Sequence, residues 1–141
     1  MKFFENRSFD DLCSLKVEEN ARFYCELEDY DQLNEIDSFL REKSIKHLVL
    51  GEGTNIVPIN NFEGLVIKNN LKGITEIDES FVKVSSGENW NEFVKWSLSE
   101  GKKGLENLAL IPGTVGAGPV QNIGAYGSEI SKFIDEISVF N

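Results

Sequence analysis

Two stretches of this 141-residue chain bring together residue types that can close around a ligand. The first is Gly51-Glu52-Gly53-Thr54-Asn55, which follows the apolar run of residues 45–50. Two glycines let the main chain approach a bound group, and Thr54 and Asn55 add donors, so the turn suits an anion such as phosphate. It matches neither standard nucleotide motif: G-x-G-x-x-G would need glycine where Ile56 stands, and Gly-Lys-Ser/Thr never occurs. Taken alone it reads first as a tight turn.

The second stretch is longer. Five of the twelve glycines (Gly113, Gly116, Gly118, Gly124, Gly127) and two of the three prolines (Pro112, Pro119) fall within residues 112–127, and no charge occurs from Leu108 to Ser128. Thr114, Gln121, Asn122 and Tyr126 are the polar residues among them. Such a run is either a wandering loop with several positive-φ positions or a surface where backbone N–H groups and side-chain amides grip a polar ring. A long structureless loop in a small domain favours the second reading. The two stretches together suggest a large anionic ligand held by backbone dipoles, because the formal charge of −10 opposes an anion.

Other chemistry finds little support. The cysteines, Cys13 and Cys25, form no C-x-x-C pair and His47 is the only histidine, so no metal site is expected. Neither thiol has a local reason for a lowered pKa. His47 lies in an apolar strand candidate, where a packed or hydrogen-bonded role is expected. Glu18-Glu19, Glu26, Glu28-Asp29 and Asp135-Glu136 read as solvated faces, not acid/base pairs. The acidity excludes a nucleic-acid protein, which needs a basic face. No apolar run is long enough to cross a membrane, and Met1 to Arg7 lacks the apolar core of a signal peptide, so a reducing, cytoplasmic setting is expected.

The elements that must position these stretches are only partly legible. Residues 20–28 alternate loosely and suit a strand. Asp29 and Gln32 form a capping-box pattern before Leu33, Ile36 and Leu40, which share a helix face. Residues 45–50 read as a short buried strand, and 65–67 and 81–84 as two more. A second helix begins at the Asn89/Glu92 cap pair, carries Trp90, Phe93, Val94 and Leu98 as its core stripe, and stops at Gly101. Interleaved strands and helices give an α/β or α+β class. The polar turn at 68–73 divides the chain into residues 1–68 and 69–141. Phe133, Ile134, Ile137, Val139 and Phe140 predict a terminal strand that breaks off at Asn141, as in a truncated chain.

The two glycine stretches in sequence are also what makes the chain resemble a known family. Leu50-Gly51-Glu52-Gly53-Thr54-Asn55 closely resembles the first FAD loop of the UDP-N-acetylenolpyruvoylglucosamine reductase family. The run from Gly104 through Ile111-Pro112-Gly113-Thr114-Val115-Gly116 to Gln121-Asn122-Ile123-Gly124-Ala125-Tyr126-Gly127 is similar to that family's second loop. Gly87-Glu88-Asn89-Trp90 is similar to the segment opening the intervening helix. The resemblance runs from about residue 12 to the end, in family order and spacing. There are two departures: Ala117-Gly118-Pro119 lacks a serine that many members carry before the proline, and Cys13-Ser14-Leu15 replaces the usual Asn-Thr-Phe.

The resemblance implies an FAD-binding fold of two α/β subdomains, of the vanillyl-alcohol-oxidase type, with the second subdomain incomplete. It implies that Gly51, Glu52, Gly53, Thr54 and Asn55 hold the FAD diphosphate through backbone amides. Ile111, Pro112, Gly113, Thr114, Gly116, Ala117, Gly118, Gln121, Asn122, Ile123, Gly124 and Tyr126 line the rest, with residues 121–124 near the flavin. NADPH is the implied hydride donor, and an enolpyruvyl nucleotide sugar of peptidoglycan synthesis is the implied substrate. The family's catalytic serine, its carboxylate partner, an arginine and the substrate-binding domain lie beyond the point matching Asn141, so no catalytic residue is expected here and the segment alone is expected to be inactive. A monomer is expected. The competing readings are another FAD-dependent oxidase of the same superfamily and a non-catalytic nucleotide-binding remnant.

Overall fold

The structure is a computed structural model that describes residues 1–140. Its chain divides into two compact units, Met1–Leu71 and Lys72–Asn141.

The first unit is built on a four-stranded sheet. Strand β1 (Phe4–Ser8) runs antiparallel to β2 (Asn20–Leu27); β2 and β3 (His47–Leu50) each run parallel to β4 (Phe62–Asn69), in the order β1-β2-β4-β3. Strand β4 is central, so it needs apolar side chains toward both faces. Leu65 and Ile67 join Phe23, Cys25 and Leu27 on one face, beneath helix α1 (Leu33–Lys43). Val66 joins Ala21, Tyr24 and Leu50 on the other, covered by Phe9, Leu12 and Cys13.

Helix α1 starts as its sequence predicts. Asp29 accepts from Asp31 N at 2.9 Å, and Gln32 Oε1 accepts from Glu28 N at 2.8 Å and Asp29 N at 3.2 Å. This closes a capping box over a 3₁₀ turn, Tyr30–Gln32. Ile36 is buried, with Leu33, Phe39 and Leu40 packed beside it.

Strand β3 departs from expectation. It is an edge strand, not a buried one: only Leu50 is buried, Val49 is 55% exposed, and His47 is exposed rather than packed. As an edge strand it has one β neighbour, and its α1-side residues escape the helix's cover.

The second unit has smaller sheets and one core. Strands β5 (Ile74–Glu76) and β6 (Val82–Val84) pair antiparallel. Helix α2 (Trp90–Ser99) is capped by Asn89, whose Oδ1 accepts from Glu92 N at 2.9 Å. The Glu92 carboxylate meets Lys95 at 2.7 Å, so the expected pair supplies the Asn89 cap while Glu92 forms an ion pair along the helix. Trp90, Phe93 and Val94 are buried as expected, but the stripe continues through Ser97; Leu98 is 42% exposed. Ser97 tolerates burial because its hydroxyl donates to Val94 O at 2.8 Å. Gly101, at φ +72°, ends the helix with its N–H on Leu98 O.

The remainder is a short helix α3 (Ala117–Val120) and a hairpin of β7 (Gly124–Ala125) with β8 (Ser128–Glu129), flanked by 3₁₀ turns at Glu106–Leu108 and Ile130–Lys132. The predicted terminal strand is absent through residue 140: Phe133, Ile137, Val139 and Phe140 are exposed coil, and Ile134 packs on the core. Its end point, Asn141, lies outside the described residues. No helix among the described residues is long and apolar enough to cross a membrane.

Candidate functional site

The Gly51–Asn55 turn leaves the carboxyl end of β3, a strand in the parallel part of the sheet. Open α/β sheets bind ligands at the carboxyl ends of their strands. No hydrogen bond among the described residues takes the amide of Gly53 or Thr54. The turn is braced from behind. Gly53, at φ +65°, lies so close to Leu12 and Cys13 that a Cβ would collide with the Leu12 carbonyl, and its own carbonyl accepts from Ser14 N at 3.1 Å. The glycine at 53 is therefore demanded by backbone packing and by φ together. Gly51 is held too: Lys68 Nζ, from the end of β4, donates to its carbonyl oxygen at 2.5 Å. Sequence reasoning missed Lys68, whose one available signal was a lone cation closing an apolar strand.

In the second unit the glycine-rich run is ordered from end to end, in place of the expected structureless loop. Gly113 O accepts from Trp90 N at 2.9 Å, Val115 N donates to Glu88 O at 2.9 Å, and Gly116 N donates to Ser86 O at 2.8 Å. These bonds lay residues 113–116 along the segment that opens α2. A Cβ on Gly116 would stand 2.5 Å from Ser86 Cβ. The amides of Ala117, Gly118, Gln121, Asn122 and Ile123 donate to carbonyls of Thr114, Val115, Ala117, Pro119 and Gly118. Tyr126 (φ +51°) and Gly127 (φ +79°) form the two-residue turn of the hairpin, and both positive φ values match a type I′ connection.

The predicted site residues of this run fall into three groups by exposure. Gly113, Thr114, Gly118 and Ile123 are buried, and Ile123 belongs to the core around Trp90. Pro112, Gln121, Asn122, Gly124 and Tyr126 are exposed, while Ile111, Gly116 and Ala117 are half-buried. In the turn of the first unit, Gly53 is buried, Gly51 and Thr54 are half-buried, and Glu52 and Asn55 are exposed.

The segment before α2 is fixed in a similar way. Lys72 Nζ donates to Gly87 O at 2.5 Å, and Glu88 Oε1 accepts from Gly73 N at 2.7 Å. Trp90 Nε1 donates to Leu108 O at 2.7 Å inside the core. Both cysteines are buried and free. Burial, with the Glu26 carboxylate adding to it, pushes the Cys25 thiol up to about 12, so Cys25 stays protonated near neutrality. Tyr24 is likewise pushed upward, chiefly by burial, and its hydroxyl donates to Glu26 at 2.8 Å.

Comparison with known proteins agrees with this architecture. UDP-N-acetylenolpyruvoylglucosamine reductase of Paraburkholderia phymatum is 51% identical over 116 residues, which cover 79% of this chain and 34% of that protein. The enzyme of the same name from Photobacterium profundum is 38% identical along the whole chain and 42% of its own length. The chain thus spans roughly a third to two fifths of these curated relatives. The crystal structure of UDP-N-acetylenolpyruvylglucosamine reductase from Thermus caldophilus shares the fold, with a TM-score of 0.71 over 93% of this chain and 46% of that one, at 24% identity. The FAD binding domain family matches residues 21–141, a span that takes in both glycine-rich stretches, and the chain belongs to that family.

Proposed function

We propose that this chain is the FAD-binding portion of an NADPH-dependent reductase that converts UDP-N-acetylglucosamine enolpyruvate to UDP-N-acetylmuramate. The names of its relatives support the reaction. The observation that carries the cofactor is the Gly51–Asn55 turn, at the carboxyl end of a parallel strand, with the Gly53 and Thr54 amides donating to no group among the described residues. Those amides fit a diphosphate, and backbone dipoles serve where the chain's charge of −10 would repel one.

FAD, when bound, supplies the carrier that passes a hydride between NADPH and the enolpyruvyl double bond. The chain's own residues bind and orient it. Gly51, Glu52, Gly53, Thr54 and Asn55 hold the diphosphate, and the 111–127 run holds the remainder. Within that run the buried Thr114, Gly118 and Ile123 set the backbone path, while Gln121, Asn122, Gly124 and Tyr126 offer accessible groups to the flavin end. The two FAD-binding subdomains are residues 1–68 and 69–141. The segment acts in the cytoplasm as part of a monomer and has no turnover alone.

Purified chain mixed with FAD tests this reading through bound visible absorbance and quenched flavin fluorescence. Stoichiometric flavin retention is expected, and its loss on Gly53→Val or Gly124→Val. Normal retention in both variants would overturn the loop assignment.

A further inference from the structure

A lysine at the carboxyl end of β4 stands out beside the glycine turn. Lys68 pairs in register with Leu50, the residue just before the turn. Its part-buried ammonium donates to the Gly51 carbonyl at 2.5 Å. A glycine has wide backbone freedom, so the peptide that follows Gly51 is the place where this turn could most easily rotate. Within a trans peptide the carbonyl and the next N–H point to opposite sides, so anchoring one fixes the direction of the other. The ammonium bond therefore sets the entry direction of residues 52–54. Gly53 is already fixed from the far side by Leu12 and Cys13. The turn is thus gripped at its start by a charge-assisted bond to Gly51 and at its middle by backbone packing at Gly53.

We infer that Lys68 is a positioning residue for phosphate binding by the Gly51–Asn55 turn: it holds the Gly51 carbonyl so that the following amides meet the diphosphate of a dinucleotide. The inference rests on the FAD reading above. It deepens that reading by assigning phosphate affinity to a side chain outside both glycine-rich stretches. Lys68 acts through the turn and is not itself a catalytic residue.

The test compares the full chain with Lys68→Met and Lys68→Arg. FAD dissociation constants come from fluorescence titration, urea midpoints from circular dichroism, and amide exchange of residues 50–56 from mass spectrometry. Lys68→Met is expected to weaken FAD binding by about tenfold or more, in line with loss of a charge-assisted hydrogen bond. Exchange in residues 50–56 should quicken while the β2 and β4 amides and the urea midpoint stay near those of the parent. Lys68→Arg, which keeps a charged donor, should recover a large part of the affinity. Unchanged FAD affinity in Lys68→Met overturns the inference and leaves the FAD reading intact. So does weakening that Lys68→Arg fails to relieve, or that comes with a matching fall in the urea midpoint. A parent chain that retains no FAD overturns the FAD reading itself, and this inference with it.

Discussion

In Met1–Leu71 the glycine-rich turn hangs on the end of a finished sheet, whereas in Lys72–Asn141 the glycine-rich run is itself much of the fold. The first unit has a central strand with apolar cover on both faces, and its turn is tied to that sheet by the packing of Gly53 on Leu12 and Cys13 and by the bond of Lys68 to Gly51. The second has one core around Trp90, and in the run beside it the amides of Val115, Gly116, Ala117, Gly118, Gln121, Asn122 and Ile123 bond within the chain. Amides already bonded within the chain cannot also hold a ligand. Among the described residues no bond takes the Gly53 and Thr54 amides of the first unit, whereas most amides from Val115 to Ile123 in the second are taken within the chain. Close approach of backbone demands glycine in both units, at Gly53 against Leu12 in the first and at Gly116 against Ser86 in the second.

The sharpest way to break this contrast is Trp90→Ala. It empties the centre of the second core and leaves the Leu108 carbonyl without its indole partner, at a cost of about 3–5 kcal/mol. Amide exchange should show residues 72–140 losing protection while β2 and β4 keep theirs; joint loss would show that the two units do not stand separately.

Next comes Gly53→Ala, set against Gly101→Ala. Both glycines have positive φ, but only Gly53 has backbone where a Cβ would go; around Gly101 nothing lies within 4 Å. Gly53→Ala should cost about 2–4 kcal/mol and Gly101→Ala about 1 kcal/mol, read as urea midpoints. Equal costs would mean that φ alone governs the turn.

An intermediate effect separates the units by pH. The folded Cys25 thiol is raised to about 12 from an ordinary value near 9.0. A raised group contributes its stability below the unfolded value and loses it as pH climbs through the folded one. The first unit should therefore weaken between about pH 9 and 12, and Cys25→Ala should flatten that slope at some overall cost in packing. The second unit holds no cysteine and should lack this contribution. Both thiols should resist a thiol reagent at pH 8 until urea unfolds the first unit.

The smallest effect is at the caps. Asp29→Ala and Asn89→Ala should each cost about 1 kcal/mol, the first felt in unit one and the second in unit two.

Local rules made the helices legible. A cap residue, an apolar spacing and a stop residue lie within a few positions of one another, so Asp29, Asn89 and Gly101 read correctly without tertiary knowledge. Strand β2 was legible for the same reason, since alternation is a near-neighbour property. Strand β1 (Phe4–Ser8) was not, because its polar residues form a strand only beside β2. The 111–127 run was legible as a special stretch but not as a structure. Glycine and proline reveal that the backbone is unusual there, yet the path of residues 113–116 depends on bonds to residues 86–90.

By itself the sequence determined the mixed α and β class, the two glycine-rich stretches, the helix caps and the resemblance that family membership bears out. Only the tertiary structure decided that β3 is an edge, that Ser97 rather than Leu98 faces the core, that Gly53 is locked against Leu12, and that Lys68 grips Gly51. The physical reason is separation along the chain. Propensity, capping and periodicity act over a few residues and leave a pattern in the sequence. The bond from Lys68 to Gly51 spans 17 residues and the packing of Gly53 on Leu12 spans still more, and neither leaves a period to read.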